Sequence, residues 1–160
     1  MTAIKALRLL PSGFTLIELL VTIAITAILA TIAVPSFSNL ITMQRAKTVS
    51  AELFETLLET RSEAIKRNAD ITMTCNPGGC VNGWNILDPA NVGQAIDSRG
   101  AAAGVTITGP NSLVFRPSGR VLGTTPPMFL ITATSGTSVM VECISVDLTG
   151  RPYLVAASTC

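Results

Sequence analysis

The chain has no histidine among its 160 residues, only 13% charged residues and only 4% aromatic residues. Without histidine it has no imidazole base or imidazole metal ligand, which excludes a Ser-His-Asp triad. Lysine is absent after Lys66, and the formal net charge is +1, so no strong positive field attracts nucleic acid. Apolar residues make up 48%, which is too many for a disordered chain.

Catalytic motifs are also missing. The sequence contains neither G-x-x-x-x-G-K-S/T nor G-x-G-x-x-G, the glycine patterns that bind phosphates. The acids after residue 69 are scattered along the chain: Asp70, Asp88, Asp97, Glu142 and Asp147. We therefore expect no enzyme, no cofactor and no metal site.

One long apolar run is present at residues 14–34, and Glu18 is its only charged residue. As a helix it spans about 31 Å, the thickness of a bilayer core. The 13 residues before it carry Lys5 and Arg8 and no acid, which places that end in the cytoplasm. We expect a single-pass membrane protein whose remaining residues face outward from the cytoplasm.

A secretory signal peptide is the alternative interpretation of this run. The run is longer than a signal peptide requires, and no small-x-small cleavage site follows it. The small residue, Gly13, instead precedes Phe14. Cleavage there would remove a leader of residues 1–13 and leave the apolar helix on the mature protein.

Glu18 has two interpretations. An ionised carboxylate in a membrane helix costs about 2.5–3.5 kcal/mol, so a partner is expected. Cleavage after Gly13 would create an amino group on Phe14 that a neighbouring subunit could pair with Glu18, setting the axial stagger. Alternatively, Glu18 lies near the end of the segment and snorkels to the interface.

The next segment, residues 36–69, contains neither glycine nor proline and has an apolar stripe of helical period. The stripe is Leu40, Met43, Ala46, Val49, Leu53, Leu57 and Ala64. Four acids follow the opposite face, which we expect to be solvated: Glu52, Glu55, Glu59 and Glu63. The patterns predict one helix over residues 14–67, kinked or loosened at Pro35.

From residue 70 to residue 160 the pattern changes to short apolar runs between turns, which indicates an antiparallel sheet. The predicted strands are 71–75, 84–87, 104–108, 112–116, 120–122, 128–134, 138–147 and 151–156. We expect a loop over 88–103 and a β-bulge near Cys143, where the alternation changes phase. The fold class is α+β, a head at 70–160 covered by the amphipathic helix half at 35–69.

Residues 13–20, GFTLIELL, resemble the class III leader and N-terminus of type IV pilins and type II secretion pseudopilins. The resemblance implies that a prepilin peptidase cuts after Gly13 and that Phe14 is then N-methylated. Pro35 matches a helix-kinking proline that is common in this superfamily. The resemblance also implies partners: other pilin subunits, met through the N-terminal helix, and an inner-membrane assembly platform.

The C-terminal half is similar to the heads of FimT-like minor pilins and H-type minor pseudopilins. The similarity lies in FRPSGR at 115–120, CISV at 143–146, GRP at 150–152 and the terminal cysteine. It implies an initiation or tip subunit of a type IV pilus or a type II secretion pseudopilus.

Four cysteines lie in the head, where an oxidising periplasm favours disulfides. Three pairings are open. We favour Cys75 with Cys80 and Cys143 with Cys160, and pairing of the terminal cysteine with the preceding strand fits the resemblance. The spacing does not suit a tetrathiolate zinc site.

DNA binding is the alternative function, because FimT-like minor pilins are associated with DNA capture. Arg116, Arg120 and Arg151 flank predicted turns and could cluster at one end of the sheet. However, residues 36–160 carry nine basic and nine acidic side chains. The tail reads Gly150-Arg151-Pro152-Tyr153, without the second arginine of the Gly-Arg-x-Arg pattern in DNA-binding members.

Overall fold

The computed structural model of the chain describes residues 13–136, 138–155 and 160, with the side chains of residues 34–36 left out. Its dominant element is helix α1, Leu16–Arg67. The helix ends at Asn68, whose φ is +49° and which therefore takes the left-handed conformation. The Ala69 N–H then donates to the Ala64 carbonyl at 3.2 Å, a Schellman-type end. The predicted long helix is confirmed.

The chain divides into two compact units, Met1–Phe37 and Ser38–Cys160. In the first unit, the side chains of residues 13–33 and 37 are all exposed, including Leu16, Ile23 and Ile32. Helix α1 contains an 18-residue window of mean hydropathy 2.4, long and apolar enough to cross a membrane. A signal sequence would pass the same test, so this measure does not separate the two interpretations.

The second unit contains two antiparallel four-stranded sheets. The strands are β1 Ile71–Cys75, β2 Trp84–Leu87, β3 Ala95–Arg99, β4 Thr106–Thr108, β5 Ser112–Phe115, β6 Met128–Ser135, β7 Ser138–Val146 and β8 Pro152–Val155. The first sheet has the order β3-β2-β1-β5, and the second has the order β4-β6-β7-β8. Strands β3 and β8 are therefore sheet edges.

The core of this unit lies between α1 and the sheets, as the apolar stripe predicted. Ala46, Val49, Leu53, Leu57 and Ala64 are all buried. They belong to one cluster with strand residues, the largest of which are Trp84, Phe115 and Phe129. The buried stripe is shorter than predicted, because Leu40, at its N-terminal end, is 53% exposed.

Three details of the sheet differ from the sequence-based expectation. Strand β3 forms inside the segment expected to be a loop. It is an edge strand of sequence AIDSR, held to β2 by backbone pairing that needs no apolar alternation. The expected strand over residues 120–122 is reduced to one bridge, between Phe115 and Val121.

The expected β-bulge near Cys143 is also wrong. Strands β6 and β7 pair without a shift from Ser135 opposite Ser138 to Met128 opposite Ser145. The apparent phase change arises because Cys143, Ile144, Ser145 and Val146 are all buried, so both faces of this part of β7 are covered. Alternation vanishes where neither face meets water.

Candidate assembly and processing site

Helix α1 begins in a capping box that joins Thr15 to Glu18. The Thr15 N–H and the Thr15 hydroxyl both donate to Glu18 Oε2, at 2.9 and 2.8 Å. In return, the Glu18 N–H donates to Thr15 Oγ1 at 3.3 Å. This reciprocal arrangement uses backbone N–H groups that lack a partner at a helix start. Thr-x-x-Glu is the sequence signature of this box, although the predictions above do not include it.

The expected cleavage position lies just before this box. Gly13 and Phe14 precede the helix, and Phe14 is 81% exposed. Among the residues that the structure describes, no atom lies within 4 Å of a Cβ placed on Gly13, so the space that they leave around this residue is open. The bond between Gly13 and Phe14 therefore lies in exposed, non-helical backbone. The rest of the expected leader, residues 1–12, lies outside the described residues.

The exposed surface of the first unit carries three threonines after Glu18, but their hydroxyl groups are hydrogen-bonded within the helix. Thr22, Thr26 and Thr31 each donate their hydroxyl to a carbonyl in the preceding turn, at 2.7–2.8 Å. Internal pairing of this kind is what a helix in lipid requires. Glu18 is the one acid on this surface among residues 13–33. The side chain of Pro35, the expected kink, lies outside the described residues, and the bounds of α1 run through its position.

The four cysteines form two disulfides, Cys75–Cys80 and Cys143–Cys160, with Cα atoms 4.5 and 5.8 Å apart. This is the pairing favoured above. The second bond closes a loop of 17 residues, worth about 3 kcal/mol in the chain-entropy model. No group of three or more potential metal ligands occurs within the described ranges.

The structure brings together the two turns that carry the candidate DNA-binding arginines. Arg116 and Arg120 bracket a turn closed by a 2.8 Å bond from the Arg116 N–H to the Arg120 carbonyl. Gly119 lies in this turn, and a Cβ on Gly150 would overlap the Gly119 carbonyl oxygen. Arg151 follows Gly150 directly, so the three candidate arginines, each of them exposed, lie on turns that touch each other.

Other polar groups stabilise the same two turns. The Arg61 guanidinium, on α1, donates to the Gly119 carbonyl at 3.2 Å. Asp147 accepts from the Thr149 hydroxyl and from the Arg151 N–H, at 2.6 and 2.9 Å. These bonds, led by the Thr149 hydroxyl, hold the pKa of Asp147 below its ordinary value. The role of Arg61 has no local signal in the sequence, because its contact with Gly119 spans 58 residues.

The chain has the fold of the solved type IV pilin and pseudopilin structures, a long N-terminal helix whose second half packs on antiparallel sheets. Two family models match the chain. The model described as type II transport protein GspH matches residues 50–150. The prokaryotic N-terminal methylation motif matches residues 11–34. The chain belongs to the GspH family.

Known proteins give the same class. The type IV major fimbrial protein FimA of Dichelobacter nodosus is 35% identical over 110 residues, and the match covers 65% of each chain, just under two thirds. A crystal structure of the Pseudomonas aeruginosa type IV minor pilin FimU matches with a TM-score of 0.60 and 20% identity, covering 71% of this chain and 94% of FimU.

The minor pseudopilin EpsH of the Vibrio cholerae type 2 secretion system matches with a TM-score of 0.53 and 17% identity. This match covers 70% of this chain and 97% of EpsH. At such identities the two solved structures show the fold. Family model and fold agree on one class of protein, that of the pilins and pseudopilins. The apolar N-terminal helix of this chain fits a membrane-anchored subunit.

Proposed function

We propose that this chain is a minor pilin or H-type minor pseudopilin that initiates or caps a type IV pilus or a type II secretion pseudopilus. The observation that carries the proposal is the N-terminal region. An exposed apolar helix has one carboxylate, Glu18, held at its start, directly after the exposed Gly13–Phe14 bond.

Processing is the first step of this function. Prepilin peptidase removes residues 1–13, and the new amino group of Phe14 is methylated. The open space around Gly13 supports this step, because a protease must bind an extended, accessible segment. Processing removes Lys5 and Arg8, which leaves nine basic and ten acidic side chains.

Assembly follows through the helix. The Thr15 N–H and the Thr15 hydroxyl both donate to Oε2 of Glu18, so Oε1 can accept from the amino group on Phe14 of a neighbouring subunit. Charge-assisted bonds of this kind are short and directional, so the pair sets the axial position of one helix against the next. Pro35 loosens the helix just beyond the membrane part.

The proposed membrane layout follows from the same residues. The helix over 14–34 spans the inner membrane once, and the leader, until its removal, lies in the cytoplasm. The amphipathic part at 35–69 and the head at 70–160 face the periplasm, where the two disulfides are stable. Partners are the peptidase, sister subunits and the inner-membrane assembly platform.

The processing step is tested by Gly13→Leu in cells that express the peptidase. A bulky side chain at the cleavage site should block cutting, so the purified protein should be heavier by the mass of 13 residues. Thr15→Ser is the matched control, since it lies beside the site and keeps the hydroxyl, and its mass should match that of the trimmed protein. Normal trimming of Gly13→Leu would disprove the assigned site.

We propose DNA binding as a second candidate function, and the contact between the two arginine turns is the observation that favours it. No ion pair of Arg116, Arg120 or Arg151 occurs within the part of the chain that the structure describes. Three free guanidinium groups on touching turns can contact successive phosphates of one strand.

Gel shifts with the detergent-solubilised full chain at low and moderate salt test this candidate. Replacing the three arginines by alanine should weaken binding at least tenfold. It should also make the plot of log affinity against log salt less steep, by the contribution of about three phosphate contacts. Arg45→Ala is the control, because Arg45 lies beside Gly104, away from both turns. Equal binding by the triple variant would exclude this surface as a DNA site.

A further inference from the structure

One end of the second unit is formed where the β6–β7 hairpin meets the first residues of α1 in that unit. The hydroxyl oxygens of Ser38 and Ser135 lie 3.4 Å apart, and Ser135 pairs with Ser138 at the tip of the hairpin. Arg45, further along α1, lies beside Gly104, just before β4. We define the hairpin end as residues 38–48, 104–106 and 132–141.

The hairpin end exposes apolar side chains. Leu40 and Ile41 on α1 are 53% and 50% exposed, and Val139 on β7 is 58% exposed. Exposed apolar groups of this kind gain free energy in the interfacial layer of a bilayer, where they leave water without entering the hydrocarbon core.

The hairpin end also carries two cations and no acid. Arg45 and Lys47 are both exposed, and neither forms an ion pair among the residues that the structure describes. The nearest acid is Glu142, which directly follows the hairpin end and lines an open groove together with Lys47. Even with Glu142 counted, the charge of this end stays positive.

The acids of α1 lie further along the helix, on the face that we expected to be solvated: Glu52, Glu55, Glu59 and Glu63. Arg99 Nη2 lies 3.9 Å from Glu55, and Arg67 Nε lies 2.6 Å from Glu63. The expectation of a simple solvated face was therefore incomplete, because part of the face is paired with arginines.

Negative charge nevertheless remains on that face. Burial raises the pKa of Glu59, and the carboxylate of Asp97 raises it further, while Arg99 lowers it. Glu52, the first of these acids, lies about 21 Å along the helix from Ser38, whereas the Debye length is about 10 Å at 0.1 M salt. The acids therefore do not cancel the positive potential of the hairpin end.

Chain connectivity keeps the hairpin end close to the bilayer in the proposed membrane layout. Ser38 follows the end of the membrane segment, residue 34, by four residues, which advance about 6 Å in a helix and at most about 14 Å in any conformation. The headgroup layer on each side of the hydrocarbon core is about 5–8 Å thick. Helical side chains lean toward the N-terminus, so Arg45 and Lys47 extend back toward the headgroups.

We propose that the hairpin end docks on the surface of an anionic phospholipid bilayer. Its exposed apolar side chains enter the interfacial layer, and Arg45 and Lys47 contact the lipid phosphates. The inference rests on the proposed function, because the membrane segment brings the head to the surface. The contact needs only one copy of the chain, and it fixes the orientation of the head before the subunit enters a fibre.

The test uses the full chain in vesicles of equal parts phosphatidylglycerol and phosphatidylcholine, with the photoreactive residue p-benzoylphenylalanine in place of Val139. We expect irradiation to produce protein that is heavier by one phospholipid. Val92 is the matched control position, because it is 99% exposed and lines a cleft with Asp70, just beyond the C-terminal end of α1. The yield at Val139 should be at least fivefold the yield at Val92.

A second arm separates attraction from proximity, since any head tethered to a bilayer meets lipid by chance. Vesicles of phosphatidylcholine alone should lower the yield at Val139 at least threefold, and this arm leaves the chain unchanged. Arg45→Glu with Lys47→Glu should lower the yield similarly in the mixed vesicles. Arg116→Glu with Arg120→Glu is the matched control, because these residues bracket Gly119, which lies against Ile65 near the other end of α1, and the yield should not change.

Three results would overturn the inference: a yield at Val139 no greater than at Val92, a yield that neither lipid charge nor charge reversal changes, or a product joined to protein in place of lipid. Washing the vesicles with alkaline carbonate separates this inference from the proposed function. A chain that stays embedded without forming lipid adducts contradicts the head contact alone, whereas a chain that carbonate extracts contradicts the membrane span itself.

Discussion

Thr56 shows how one side chain can hold the helix to the sheet. It lies fully buried on α1, and its hydroxyl accepts a hydrogen bond from Trp84 Nε1 on β2 at 3.0 Å. The same hydroxyl donates to the Glu52 carbonyl at 2.9 Å. A buried indole N–H without a partner is costly, so this threonine fixes where the helix meets the first sheet.

We expect Thr56→Val to lower the free energy of unfolding by about 1–3 kcal/mol, because the volume is kept and the Trp84 N–H loses its partner. Trp84 is the only tryptophan, so its fluorescence follows unfolding in urea. Thr60→Val is the matched control, since that buried hydroxyl donates only to the Thr56 carbonyl within its own helix. An equal loss in both variants would contradict the assigned role.

At the scale of the element, the two halves of α1 are stabilised in different ways. The head part buries an apolar stripe against the sheets, whereas the first part, within residues 13–33, exposes its apolar side chains. Such a surface is stable in lipid or against other helices. The capping box gives this half a defined start, and it keeps the Glu18 carboxylate at the first turn.

We expect Glu18→Ala to insert in the membrane normally and to reduce entry into sheared fibres at least tenfold, since the proposed pair with the neighbouring amino group would be lost. Thr15→Val separates the two roles of the box. It removes the hydroxyl contacts but keeps the carboxylate, so it should reduce entry less. Quantitative immunoblots of membrane and sheared fractions measure both. Undiminished entry of Glu18→Ala would leave Glu18 as a snorkelling residue.

At the scale of the whole molecule, positive and negative side chains lie in different places, although the net charge is nearly zero. Positive side chains collect at the hairpin end and at the two arginine turns, negative ones collect beside β3, and Glu59 lies among the latter. Its folded-state pKa is raised, so the native state binds this proton more tightly than the unfolded state does. Its contribution to stability is therefore complete below the unfolded pKa and is lost as pH rises through the folded pKa.

It follows that Glu59→Gln should raise the free energy of unfolding at pH 7 by up to about 0.5 kcal/mol, a small gain because water screens a half-buried group. The gain should vanish below about pH 4, where glutamate is protonated in both states. Urea titrations at several pH values measure this. Glu55→Gln is the control, because that side chain is 70% exposed and should give a smaller change. A gain that grows on acidification would refute the sign.

Local patterns predicted the parts of the fold that depend on local spacing. The helix through Arg67, strands β1 and β2, and the turns around Gly119 and Gly150 follow from periodicity and turn residues. Strand β3 was missed because an edge strand is held by backbone hydrogen bonds, which leave little trace in side-chain pattern. The predicted β-bulge near Cys143 was wrong, because apolar and polar residues stop alternating where both faces of a strand are buried, as at Ile144.

The sequence by itself determined the apolar helix, the Gly13–Phe14–Glu18 motif, the α+β class and the cysteines available for pairing, because each depends on residue type and short spacing. The tertiary structure alone decided that Gly150 meets Gly119, that Trp84 donates to Thr56, and that the β6–β7 hairpin meets α1 at Ser38. The first two of these contacts join residues 31 and 28 positions apart. Such pairs form only when the whole core closes, and no local pattern encodes them.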